Sequence, residues 1–113
     1  MGAFWGCLNL TNLVFPNGIT TLGVQCFYGC SNLTSVTLSS SMTNINAQCF
    51  QNCRKLEKII SLATTAPTIT SLTFRNIKSG GTLYVPQGSS GYDTWMQNTN
   101  YYLGLYNWTK VEQ

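Results

Sequence analysis

The stretch Cys26-Phe27-Tyr28-Gly29-Cys30-Ser31-Asn32-Leu33-Thr34-Ser35-Val36-Thr37-Leu38 returns 23 residues later as Cys49-Phe50-Gln51-Asn52-Cys53-Arg54-Lys55-Leu56-Glu57-Lys58-Ile59-Ile60-Ser61. Both copies carry Cys-Phe, then a second Cys, a Leu and a β-branched residue at fixed positions. Working outward, the same offset brings Ala3-Phe4 and Cys7 into register, then Leu10 with Leu33 and Leu56, and Leu13 with Val36 and Ile59. Ile19 aligns with Met42, and Leu22 with Ile45. A fourth, degenerate copy stands at an offset of 24, where Phe74 takes the Phe position, Ile77 the second Cys, Leu83 the place of Leu13, and Val85-Pro86 that of Phe15-Pro16. Between the third and fourth copies, Ser61 to Thr73 departs from the unit. A period in the twenties is the mark of a solenoid, whose units are too small to bury an apolar face alone and do so against their neighbours.

Within one unit, Leu33 to Leu38 alternates with period two, which predicts a short strand with Val36 and Leu38 inward and Ser35 and Thr37 outward. Ser39-Ser40-Ser41 predicts a turn, Met42 to Ile45 a second extended piece, and Cys26 to Cys30 a corner whose Phe fills the interior. Equivalent strands in successive coils then lie parallel, about 4.8 Å apart, and equal columns become ladders.

The composition agrees. Of 113 residues, 8% are charged and 43% hydrophobic, and Asn, Ser and Thr make up 36, a bias toward turns and extended structure over helix. The length is that of one domain. There is no His, and the acids are Glu57, Asp93 and Glu112, so histidine-based catalysis is excluded within the chain. No motif pairs two of these carboxyls as glycoside hydrolysis needs, and no Ser or Cys has a neighbouring base, so the expectation is not an enzyme, with no cofactor. A formal charge of +3 on dispersed cations is a weak footprint for nucleic acid, and none is expected as a partner. No run approaches the roughly 18 apolar residues of a membrane span, so this segment is not expected to insert.

Ala3 to Leu10 and Cys26 to Leu38 resemble the leucine-rich repeats of BspA-like bacterial surface proteins. The ending, Ala66-Pro67-Thr68, Thr73-Phe74 and Gly80-Gly81-Thr82-Leu83-Tyr84-Val85-Pro86-Gln87-Gly88-Ser89, is similar to the C-terminal region of such proteins in Bacteroides relatives. Cys26 and Cys49 replace the usual Ala before Phe, and Asn46 stands where Gly is common. The resemblance implies a mainly β, right-handed leucine-rich-repeat solenoid with coils of about 23 residues and a C-terminal cap. It also implies an extracellular or cell-surface location and adhesion to host or bacterial proteins or glycans. The chain divides into coils over about 3–25, 26–48, 49–73 and 74–86, with a cap over 87–113. It opens on Gly2-Ala3-Phe4 in mid-repeat, so the expectation is a fragment of a longer array whose uncapped first coil is open to self-association.

The cysteines alone admit a four-thiolate zinc site. The repeat gives a simpler account, because Cys7, Cys30 and Cys53 share one column and Cys26 and Cys49 another, each a corner that takes a small, buried, weakly polar side chain. Ladder spacing permits a Cys26–Cys49 or Cys30–Cys53 disulfide, but parallel side-chain vectors oppose it. In the cap, Ser90-Gly91-Tyr92-Asp93 predicts the start of a short helix through Trp95 and Met96, and Trp108 to Val111 a last strand. The aromatics there read as core closure ahead of ligand stacking. The Asn of Asn9-Leu10-Thr11 and Asn32-Leu33-Thr34 are expected to hydrogen-bond corner backbone groups rather than carry glycans.

The candidate partner-binding residues are the outward positions of the strand ladder. One row runs Asn12, Ser35, Lys58, Thr82 and the next Val14, Thr37, Ile60, Tyr84. The competing reading packs Ile60 and Tyr84 beneath the segment Leu62 to Leu72. A second functional alternative is a structural spacer and cap with no binding site of its own.

Overall fold

A computed structural model describes residues 7–113. The parallel main sheet has the order β1 (Asn12–Val14), β3 (Ser35–Leu38), β5 (Lys58–Ser61), β6 (Thr82–Val85) and β7 (Thr109–Glu112), while β2 (Thr21–Leu22) and β4 (Asn44–Ile45) pair in a second parallel ladder. Register follows the repeat: Asn12 pairs with Ser35, Ser35 with Lys58 and Lys58 with Thr82. Val36, Leu38, Ile59, Leu83 and Val85 point inward and are buried. The described residues form no α-helix; the one helical element is a 3₁₀ turn, Leu103–Tyr106. None of them forms a helix long and apolar enough to cross a membrane.

Each corner is a chain of i to i−3 turns. Cys26 N–H donates to Gly23, Tyr28 to Gln25 and Cys30 to Phe27, and the next coil repeats this from Cys49 to Cys53. The corners also bond across coils, with Phe27 N–H to Cys49 O at 2.9 Å and Phe50 N–H to Thr73 O at 2.9 Å. Between these bonds lies an aromatic spine. Phe27 and Phe50 stack at 5.5 Å with a 6° interplanar angle, Phe50 and Phe74 at 5.7 Å and 6°, and Trp95 continues the column at 5.6 Å from Phe74. Amide ladders run beside it: Gln25 donates to Gln48 at 2.8 Å, and Asn76 to Asn52 at 2.9 Å.

The segment Ser61 to Thr73, whose sequence departs from the unit, completes the third coil with one residue added. Asn44 bridges Thr68, and Thr68 N–H donates to Thr43 O, so Ala66 and Ile69 stand for Met42 and Ile45 at an offset of 24 and pack against the core. Polar Thr and Pro in this coil hide the periodicity while the backbone keeps it. The helix expected from Ser90 does not form. Ser90 is held in a bridge to Thr65, Gly91 follows at φ 89°, and residues 91–96 make the same i to i−3 turns as the other corners. Trp95 therefore sits where a repeat Phe would.

Residues 87–113 close the core as an irregular further coil, with Tyr92, Trp95, Leu103 and Trp108 buried. Their polar ends are satisfied by the preceding coil. Tyr92 donates to Ala63 O at 2.6 Å, Trp95 Nε1 to Pro67 O at 3.0 Å and Trp108 Nε1 to Lys78 O at 2.7 Å. The Trp108 indole lies so close to Gly81 that any Cβ there would collide with it. At the inward position of β7, Lys110 replaces the aliphatic residue of the other strands and reaches Asp93 at 2.9 Å. The coil-one residues Ala3 and Phe4, and the first-coil opening on which self-association was expected, lie outside the described residues.

Phe50 is fully buried between two stacked rings. Phe50→Ala is expected to lower the unfolding free energy by about 3–5 kcal/mol, through lost transfer energy and a cavity that a rigid ladder does not collapse to fill. Urea denaturation measures this; a loss below about 1 kcal/mol would mean that the spine does not carry the core.

Candidate functional site

Alternation along each strand turns one face out, and the parallel register lines its side chains up in two rows. The first is Asn12, Ser35, Lys58, Thr82 and, one strand beyond the sequence-based set, Thr109; the second is Val14, Thr37, Ile60, Tyr84 and Val111. Val14 is 65% exposed and Val111 37%, while Thr37, Ile60 and Tyr84 between them are half-buried. Lys58 is exposed, and its Nζ lies 5.5 Å from the centroid of the Tyr84 ring. Leu62, at the start of the segment proposed to cover Ile60 and Tyr84, is itself 47% exposed.

The structure brings three further residues to this pair. Glu57, Lys78 and Gly80 join Lys58, Thr82 and Tyr84 around a cavity of about 340 Å³. Lys78 Nζ is 2.7 Å from Glu57 Oε1, both side chains about half exposed, so the pair orients the two groups more than it stabilises the fold. The backbone beneath is fixed: Thr82 N–H donates to Glu57 O at 3.0 Å, Gly80 N–H to Tyr106 O at 2.8 Å, and Lys78 O accepts from Trp108. Glu57 and Lys78 are 21 positions apart and so belong to different columns, Glu57 to that of Thr34 and Lys78 to that of Arg54. Charge marks both in the sequence, as members of the only charged stretch of the coils and of a modest basic strip suited to acidic glycans or an acidic protein, but it does not place them side by side.

The corner cysteines are where the columns put them. Cys30, Cys49 and Cys53 are buried, Cys7 and Cys26 half-buried toward the first coil, and all five are thiols. Cys53 Sγ–H donates to Phe27 O at 3.3 Å. Burial pushes the Cys30 and Cys49 thiols up, and that of Cys53 up to about 12. Thr73 and Ile77 end the two columns in coil four. No three Cys, Asp or Glu side chains converge as metal ligands among the described residues. Asn32 Nδ2 donates to Leu8 O at 2.7 Å, the corner role expected of it. At the far end, Arg75 lies 4.6 Å from the Tyr101 ring centroid, and Tyr106 hydroxyl accepts from Asn76 N–H.

The family model described as BspA type leucine-rich repeat region matches residues 1–100, in six copies. No curated protein and no solved structure was found to match the chain.

The thiol ladder makes stability fall at high pH. Cys53 has an ordinary value of 9.0 and a folded value near 12, so the folded state holds a proton that the unfolded chain gives up between them. Its contribution is complete below pH 9 and is lost as pH rises toward 12. Urea unfolding under reducing conditions should show the unfolding free energy declining over that window, with a shallower decline in Cys53→Ala; equal slopes would remove the thiol from the account.

Proposed function

The chain belongs to the BspA-type leucine-rich-repeat family, and from that premise we propose that it is a non-catalytic interaction module of a bacterial cell-surface or secreted protein. Its binding element in this reading is the strand face, and its partners are host or bacterial proteins or glycans. Repeats of this family are generally non-catalytic interaction or structural modules, and their proteins are typically surface or secreted. The observation that carries the reading is the two outward rows, in register over five parallel strands. A rigid backbone ladder presents these side chains at a fixed spacing, so little ordering is needed when a partner binds.

Size narrows the mode of binding. Five strands at about 4.8 Å and four residues at about 3.3 Å give a face of roughly 24 by 13 Å. That is about two fifths of the ~800 Å² each partner contributes to a standard protein interface. Alone, the face suits a short linear or small ligand; a protein partner would have to reach the flanks or neighbouring coils. The spacer-and-cap alternative draws on the last coil, whose buried Trp95 and Trp108 and edge Lys110 terminate the core.

A Thr37→Arg/Ile60→Arg variant separates the two. Both side chains point outward, so the fold should persist by circular dichroism. On arrays of immobilised glycans and extracellular matrix proteins, the parent chain is expected to bind at least one ligand that the variant binds about tenfold more weakly or not at all. Binding that survives in the variant would place the site away from these two rows, and no ligand for the parent would favour the spacer.

A further inference from the structure

Electrical charge is distributed unevenly along this solenoid. The first formal charge after the N-terminus is Arg54, so the described coils up to residue 53 carry none. Five of the six cations, Arg54, Lys55, Lys58, Arg75 and Lys78, then fall within 25 residues that contain a single acid, Glu57. An extended neutral surface thus ends in a positively charged belt over coils three and four. The cavity of about 340 Å³ opens within that belt, at the beginning of β5 and β6.

Its lining has a definite chemistry. The Tyr84 ring is a flat apolar surface, half-buried and held by the sheet. Lys58 overhangs the ring, and Lys78 lines the same cavity, bonded to Glu57. The hydroxyls of Thr82 and Tyr84 make no hydrogen bond to any described residue and are able to both donate and accept. One ring to stack on, two ammoniums, two hydroxyls and a carboxylate match a pyranose that itself bears a carboxylate. Its C–H face would lie on Tyr84, its carboxylate between Lys58 and Lys78, and its hydroxyls against Thr82 and Glu57. The volume is at the small end of small-molecule sites, enough for one or two sugar rings and too little for a folded partner.

We propose that the cavity formed by Glu57, Lys58, Lys78, Thr82 and Tyr84 binds an acidic saccharide residue, a hexuronic or sialic acid. The proposal rests on the reading of the strand face as an interaction surface and gives that surface a ligand class. Lys58 is the pivot, because it exchanges its contact with Tyr84 for the ligand's carboxylate and leaves the ring open to the sugar. Arg54 and Lys55, at the corner before β5, raise the local anion concentration without entering the cavity, so binding weakens with added salt.

The test titrates the chain with sialyllactose and with trigalacturonate, following amide shifts by NMR; lactose and methyl-esterified trigalacturonate are the neutral controls and tetraglutamate the acidic peptide control. Expected is saturable binding of at least one acidic sugar, with the neutral controls and the Lys58→Gln/Lys78→Gln variant weaker by about tenfold or more. Shifts should cluster at Lys58, Thr82 and Tyr84. Tyr84→Leu keeps an apolar strand residue but removes the aromatic face, and should bind the acidic sugar about tenfold more weakly while circular dichroism shows the fold retained; unchanged binding would remove stacking from the account. Which of the two acidic sugars binds identifies the source. No saturation by either sugar, equal binding of the neutral controls, or tetraglutamate binding as tightly at the same residues would each overturn the proposal. If the array ligands are still lost in Thr37→Arg/Ile60→Arg under that result, the strand face stands as the binding surface without this site.

Discussion

Every side chain on a ladder has a near copy of its position about 4.8 Å above and below it, and that stacking rule governs what this sequence can contain. A residue is admitted to a column if it packs or hydrogen-bonds well with its own kind. Phe satisfies the rule by offset stacking, which is why Phe27, Phe50 and Phe74 lie almost parallel. Amides satisfy it by donating to the next amide along, as Gln25 does to Gln48. Ammonium groups satisfy it less well, because like charges one rung apart repel, although Arg54 and Lys78 do share a corner column at the offset of 24. The neighbours of Lys58 in its row are accordingly Ser35 and Thr82, and Lys55 donates to the Asn32 amide one coil back.

Much of this was readable from one chain. The row assignments follow from period two within a coil and 23 between coils, and each of Asn12, Ser35, Lys58 and Thr82 pairs as the alignment orders them. What escaped was whatever the repeat does not encode. The third coil holds an extra residue, and its apolar Ala66 and Ile69 stand at an offset of 24 among Thr and Pro, so the sequence pattern loses the phase that backbone hydrogen bonds retain. The capping-box reading of Ser90 relied on local propensity; pairing of Ser90 with Thr65 won instead. The approach of Lys78 to Glu57 depends on how the chain enters β6, which no column predicts.

The same separation between repeated and unrepeated residues runs through the candidate site. Repeated positions supply a stiff platform, and its outward rows are mostly small and neutral toward the first coil. Individuality enters at coils three and four, where Lys58 stands in a row of Asn and Ser, Tyr84 in a row of Val, Thr and Ile, and Lys78 in a corner column that is neutral in the earlier coils. Fold alone does not specify a partner; here the residues that break the pattern are the ones with chemistry to offer, and the last coil holds them in place through Trp108 and Gly81.

Lys110 gives the array a direction of growth. Its position in β7 corresponds to Leu83 in β6, and its ammonium is turned toward Asp93 instead of into the core. Stacking another coil on this edge would trap that charge among aliphatic side chains, whereas a copy of a 23-residue unit inserted among the earlier coils would meet matching Phe, Leu and amide columns on both sides. Gene duplication by unequal crossover would therefore lengthen such an array from within and leave the coil that carries Lys110 unchanged. Descendants of different length would share one end and differ in the number of coils behind it.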